Sequence, residues 1–195
     1  MQRSLHYTAI VAAALGLAAC AAPGDAFAPR AAMSSDRAAA PSPHSVQVTG
    51  GGTTTFGADL DGDGDVDGSH FGFAAVIAGD GSAQGHFTCL MAGNANFLGL
   101  RLMAVQGPVT SGTLDGHSFS GTATVKVLNA FGPGVQSIFR DIPFVVTVTP
   151  GGPGVATLQL TVLGMFDGVP GDVAPGNHNY DLARETLTTG QITIH

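Results

Sequence analysis

From residue 46 to the end the chain repeats one pattern, with apolar residues at every second position in short runs separated by Gly and Pro. In HFGFAAVI, Phe71, Phe73, Ala75 and Ile77 fall on one face. In TATVKVLN, Ala123, Val125 and Val127 alternate with Thr122, Thr124 and Lys126. DIPFVVTVTP sets Ile142, Phe144, Val146 and Val148 against Pro143, Val145, Thr147 and Thr149. VATLQLTVLGMF opposes Leu158, Leu160 and Val162 to Thr157, Gln159 and Thr161, and GQITIH turns Ile192 and Ile194 inward. A period of two belongs to strands, whose successive side chains point to opposite faces. Adding VQVTGG, TTTFGAD, QGHFTCLMA, FLGLRLMAV and HSFSGT brings the total to about nine or ten strands. No run in this part carries a helical stripe with caps. The pattern predicts an all-β fold, an antiparallel β-sandwich or barrel-like sandwich. Thr on the outer faces suits half-exposed strands. Pro143 inside a run predicts an edge strand or a bulge, and Asp141 reads as the residue at a strand start.

The N-terminus reads as an export signal. MQRSLH carries Arg3, YTAIVAAALGLAA is an apolar run too short to span a bilayer, and Cys20 follows. Leu17-Ala18-Ala19-Cys20 resembles the lipobox of bacterial lipoproteins. That resemblance implies that residues 1–20 are a lipoprotein signal and that Cys20 is the lipidated first residue. It further implies a membrane partner through that lipid, and a bacterial outer-membrane or cell-surface location in the envelope. Ala21, not Asp, follows Cys20, so nothing argues for retention at an inner membrane. The competing reading is cleavage after Ala26-Phe27-Ala28, which would leave Pro29 in an unfavourable position after the cut. Residues 21–45 are rich in Ala, Pro and Ser without apolar periodicity. Such a segment cannot bury enough surface to offset its chain entropy and reads as a disordered tether. Residues 46–195 are of the size of one domain with a full core.

Cysteine and charge exclude several classes. Past Cys20 only Cys89 remains, so no disulfide framework exists within one chain. Cys89 in FTCLM reads as a small buried residue. His86-x-x-Cys89 is half of a zinc site with no second pair to complete it. From residue 46 onward twelve acids face four cations, and five of those acids lie in residues 59–68. The rest of the domain is nearly uncharged, with no basic patch for nucleic acid or anionic head groups.

The acidic stretch is DLDGDGDVDG. With Asp59 as the first position of a twelve-residue calcium loop, Asp61 and Asp63 fall at positions three and five. Gly64 takes the sharp turn, Asp65 offers its carbonyl, Val66 anchors the loop, and Asp67 binds through water. The stretch resembles the loops of EF-hands, dockerin modules and thrombospondin type-3 repeats, which bind calcium. It departs from them at position twelve, where His70 replaces the closing carboxylate. Imidazole suits a hard cation poorly, so the missing oxygens must come from water, carbonyls or a distant acid such as Asp80. Carboxylates 4 Å apart repel by about 1 kcal/mol per pair even in bulk water, which a turn with one Asp-Gly would avoid. A calcium cofactor held by Asp59, Asp61, Asp63, Asp65 and Asp67 is therefore expected. A second polar loop, FDGVPGDVAPGNHNYDL, holds Asp167, Asp172, Asn177, Asn179 and Asp181 as a candidate ligand loop without metal register.

TGGGTTTFGAD and FGFAAVIAGDGSAQGHFTC at the front, with FVVTVTPGGPG, TLQLTV and ETLTTGQITIH at the back, resemble a small bacterial extracellular β-domain of the post-anchor type. The likeness rests on Phe71-Gly72-Phe73, Thr147-Val148-Thr149 and Gly190-Gln191-Ile192-Thr193-Ile194-His195, and it implies no enzymatic activity. No catalytic residue stands out in the sequence itself. GHSFSG resembles a nucleophile elbow around Ser118, but Ser120 replaces the second Gly and the context is a hairpin. Glu185 is the sole Glu of the domain, so a two-carboxylate glycosidase would need an unidentified Asp. P-loop, H-E-x-x-H and Rossmann glycines are missing. Trp is absent, leaving Phe71, Phe97 and Phe131 as candidate apolar ligand contacts. The expectation is a non-catalytic envelope lipoprotein, a binding or structural module with an envelope-protein or glycan partner. The alternatives are a small envelope hydrolase using His117 or His178 with an acid, and a carbohydrate-binding module using the 167–181 loop.

Overall fold

A computed structural model describes residues 44–59, 66–97, 100–128, 136–169 and 171–195, with side chains left out at 92–97, 100–102 and 128. Nine strands follow in order: β1 (Val46–Thr55), β2 (Ser69–Ile77), β3 (Ser82–Phe97), β4 (Leu100–Gly112), β5 (Ser118–Leu128), β6 (Gln136–Thr149), β7 (Thr157–Val162), β8 (Tyr180–Asp181) and β9 (Glu185–Ile194). The fold is all-β, as the alternation predicts. VQVTGG and TTTFGAD merge into β1, and HSFSGT joins TATVKVLN in β5. Gly50, Gly51, Gly52 and Gly121 lie inside continuous strands and do not end them.

Every pairing is antiparallel, and each strand from β1 to β6 pairs with its successor in sequence. β6 then pairs with β7, β7 with β8 and β9 along its other side, and β9 with β1. The sheet therefore closes on itself as an up-and-down barrel, with β8 and β9 sharing one place in the ring. Closure removes the sheet edges that would otherwise invite pairing with other chains.

The barrel is filled by its own side chains. Phe71, Phe73, Phe87, Phe119 and Phe144 are buried and meet in a continuous chain of ring contacts at 4.9–5.9 Å. Val48, Val105, Val125, Val146, Leu158 and Leu160 pack around them. The outward positions carry Thr88, Gln106, Thr122, Lys126 and Thr149. That polarity, apolar inside and polar outside, is the reverse of a barrel that spans a bilayer.

Local chemistry explains two irregularities. Gly50 of β1 lies under the Phe73 ring, and a Cβ built there would stand 2.5 Å from the ring's Cζ. Glycine is what lets this aromatic cross the barrel. Gly50→Ala is expected to cost about 1 kcal/mol through overpacking, read as a melting temperature lowered by about 2–4 °C. β6 bends at Asp141, whose φ is +57°, where the β5–β6 register shifts between Ala123 and Val125. Pro143 thus marks a bulge, and Asp141 sits inside β6, not at its start. Inside a closed ring no edge is available, so the bulge relieves the strand instead.

Candidate functional site

Chain direction sends the β1–β2 and β7–β8 connections to one end of the barrel. The β2–β3, β4–β5 and β6–β7 connections lie at the other. The acidic stretch and the 167–181 loop therefore share an end. Asp80 belongs to the opposite end, where its carboxylate caps Ser82 through the backbone N–H at 2.9 Å and the hydroxyl at 2.6 Å. The fold rules out Asp80 as the distant acid completing a shell on the acidic loop.

The acidic loop is tied at its neck. Phe56 N–H donates to the Asp67 carbonyl and Asp67 N–H to the Ala58 carbonyl, both at 2.9 Å, which extends the β1–β2 ladder. The Thr55 hydroxyl also donates to the Asp67 carbonyl. Asp59 is exposed at the mouth, whereas Asp67 is 0 % exposed. Asp61, Asp63 and Asp65 lie outside the described residues, as does Cys20. Among the described residues no three His, Cys, Asp or Glu side chains gather in a metal-binding group. His70, at position twelve, is part of β2 opposite Thr53 and Leu90 and faces solvent. Strand pairing thus fixes His70 in the β2 ladder, and its imidazole is a poor ligand for a hard cation.

Beneath the neck lies a site the sequence reading passed over. Thr54, Asp67, Ser69 and Glu185 are the buried polar residues of the described barrel, and all four belong to this end. The Ser69 hydroxyl donates to Glu185 Oε1 at 3.0 Å, and Thr54 Oγ1 is hydrogen-bonded to Glu185 Oε2. Thr54 Oγ1 also contacts the Ser69 carbonyl at 3.1 Å and accepts from the Ser69 N–H at 3.2 Å. A hydroxyl has one proton to give. If Thr54 gives it to the Ser69 carbonyl, the Glu185 contact requires a proton on the carboxyl, which then donates to Thr54. A neutral Glu185 satisfies every contact. Burial acts in the same direction, and against the pull of the Thr54 and Ser69 hydrogen bonds it pushes the Glu185 pKa up to about 7. Burial raises the pKa values of both Cys89 and Tyr180, with the Glu185 charge adding to the first and the Asp172 and Glu185 charges to the second. Cys89 is a free, buried thiol, as expected, and His86 points to the opposite face, so the two cannot share a metal.

A one-residue bulge explains why Glu185 faces inward. Counting back by twos from Ile192 would place Glu185 outside. Between Thr53 and Thr54 the β1–β9 register skips Thr188, so Leu187 and Glu185 face the interior instead. Asp67 and Ser69 did carry a signal, because they continue the odd-numbered face of Phe71, Phe73, Ala75 and Ile77.

The 167–181 loop spends its polar groups on itself. Asp167 accepts from the Gly176 and His178 N–H groups at 2.6 and 2.9 Å, and Asp172 from Gly168, Ala174 and Asp181. Although partial burial opposes ionisation, those backbone donors hold the Asp172 carboxyl below its ordinary value. Asn177 donates to Asp181 at 2.7 Å, Asn179 accepts from Gly164, and Asp181 also accepts from Thr161. The five candidate residues are thus brought together as the caps of an ordered loop. Phe71 is in the core, which removes it as a ligand contact, and the Phe97 and Phe131 side chains lie outside the described residues. His117 bonds the Val148 carbonyl through Nδ1 at 3.0 Å, and His178 reaches Asp167 through its backbone N–H. Ser118 starts β5 in a hairpin, and Ser120 pairs with Ser111 at 2.6 Å.

No protein-family model, curated protein or solved structure matches the chain.

Proposed function

We propose that the chain is a non-catalytic module of a bacterial envelope, tethered by lipid on Cys20 and carrying a calcium-stapled loop between β1 and β2. The tied neck of the acidic loop carries this reading. Two backbone hydrogen bonds, from Phe56 N–H to the Asp67 carbonyl and from Asp67 N–H to the Ala58 carbonyl, close the base of the short connection whose sequence carries five aspartates. Carboxylates crowded in that way repel until a cation neutralises them. The filled interior supports the non-catalytic part, because it leaves recognition to the loops and the outer face.

Two measurements test the proposal. Cys20→Ser is expected to move the protein from the membrane fraction to the soluble exported fraction. A variant that still sediments with membranes would overturn the anchoring role. Calcium calorimetry on the full chain tests the loop and is taken up below.

A further inference from the structure

A groove of about 400 Å³ crosses the outer face of β3, β4, β5 and β6, lined by His86, Gln106, Thr124, Lys126, Ile138 and Arg140. These residues come from adjacent strands in register. Thr88 of β3 pairs with Gln106, Gln106 with Thr124, and Lys126 with Ile138. All six point outward from the packed core. Strand spacing of about 4.8 Å makes four strands a row of side chains roughly 14 Å across.

Charge makes the groove unlike the rest of the barrel. The domain from residue 46 has four cations, Arg101, Lys126, Arg140 and Arg184, against twelve acids. Among the described residues two of the four line this groove, and no carboxylate does. Lys126 and Arg140 sit on neighbouring strands, diagonal to one another across the Lys126–Ile138 pair. Among the described residues neither has an ion pair or a side-chain hydrogen bond. Two unneutralised cations within diagonal reach repel each other mildly, and an anion between them would turn that repulsion into two attractions.

We infer that this groove binds an acidic saccharide, with uronate carboxylates held by Lys126 and Arg140. Gln106, Thr124 and His86 supply donors and acceptors for sugar hydroxyls. Ile138, 47 % exposed in the groove, offers an apolar contact for a ring face. Nucleic acid fits less well, since two cations neutralise few phosphates and, among the described residues, no Phe, Tyr or Trp lines the groove for base stacking. A peptide strand would need a free main-chain edge, and here each strand is paired on both sides. The inference rests on the reading of the domain as a non-catalytic binding module and names its ligand class. It is independent of the calcium loop.

The test is titration of the full chain with oligogalacturonate in EDTA, which keeps calcium out of both protein and ligand. Saturable binding is expected, weakened at least tenfold in Lys126→Gln/Arg140→Gln and in 0.5 M salt, and lost when the uronates are methyl-esterified. Asp61→Ala/Asp63→Ala should bind the saccharide like the parent, which separates failure of the groove from failure of the loop. Equal binding of the ester, equal binding by the double variant, or no binding at 10 mM saccharide would each overturn the assignment. Equal affinity for polyglutamate would overturn the saccharide and leave only an anion site.

Discussion

Raising the pH from 5 to 8 in EDTA is expected to lower the melting temperature by about 5–10 °C, and Glu185→Gln is expected to remove most of that loss. Folded Glu185 keeps its proton up to about pH 7, whereas the unfolded side chain releases it near its ordinary value of 4.5. Between those values the folded state binds the extra proton, so stability falls as pH rises. The contribution is complete below the lower value and gone above the upper one. A displacement of that size corresponds to about 3 kcal/mol, and a domain of this size shifts about 2–4 °C per kcal/mol. Asp80 and Asp115 do not mask the effect. The Ser82 hydroxyl and N–H lower the first, the Thr113 hydroxyl and His117 N–H lower the second, and both therefore act at more acid pH. Cys89 and Tyr180 stay neutral throughout because burial raises them. Asp67 is the other acid buried at this end, and the Gln variant isolates Glu185 from it. Gln can donate to Thr54 and accept from Ser69, so the variant should match the parent at pH 5 and exceed it at pH 8. A variant with the parent's pH slope would show that another group carries the dependence.

Much of the barrel was legible because its alternation is clean. Phe71 to Ile77, Ala123 to Val127 and Leu158 to Val162 face the core as the period of two demands. Closure was not legible. It depends on β7 meeting β6 on one side and β9 on the other, and no local pattern encodes which strands meet across a ring. The site was legible in halves. The crowding of aspartates is plain in the sequence, but Glu185 is hidden by the skipped Thr188, since a bulge reverses parity and alternation cannot register it. The groove was hidden for a different reason. Lys126 and Arg140 are fourteen positions apart, and only the β5–β6 register puts them side by side.

The proposed calcium loop carries the second large effect. With a dissociation constant of about 10⁻⁴–10⁻³ M, as for extracellular calcium modules, 5 mM calcium would stabilise the fold by about 1–2 kcal/mol. That is a rise of about 2–8 °C. Binding requires ionised aspartates, so the rise should be larger at pH 8 than at pH 4. It should also partly offset the alkaline loss caused by Glu185, because a bound ion bridges the loop whose neck joins β1 and β2 above that residue. Magnesium should give less, since it gives up its water shell reluctantly and demands stricter geometry.

Isothermal titration of calcium into the full chain and into Asp61→Ala/Asp63→Ala tests the central claim most directly. The expected result is one saturable site in the parent, with none in the double variant and a melting temperature that responds to calcium in the parent alone. A parent that takes up no calcium at 5 mM, or a double variant that binds it equally well, would contradict the account.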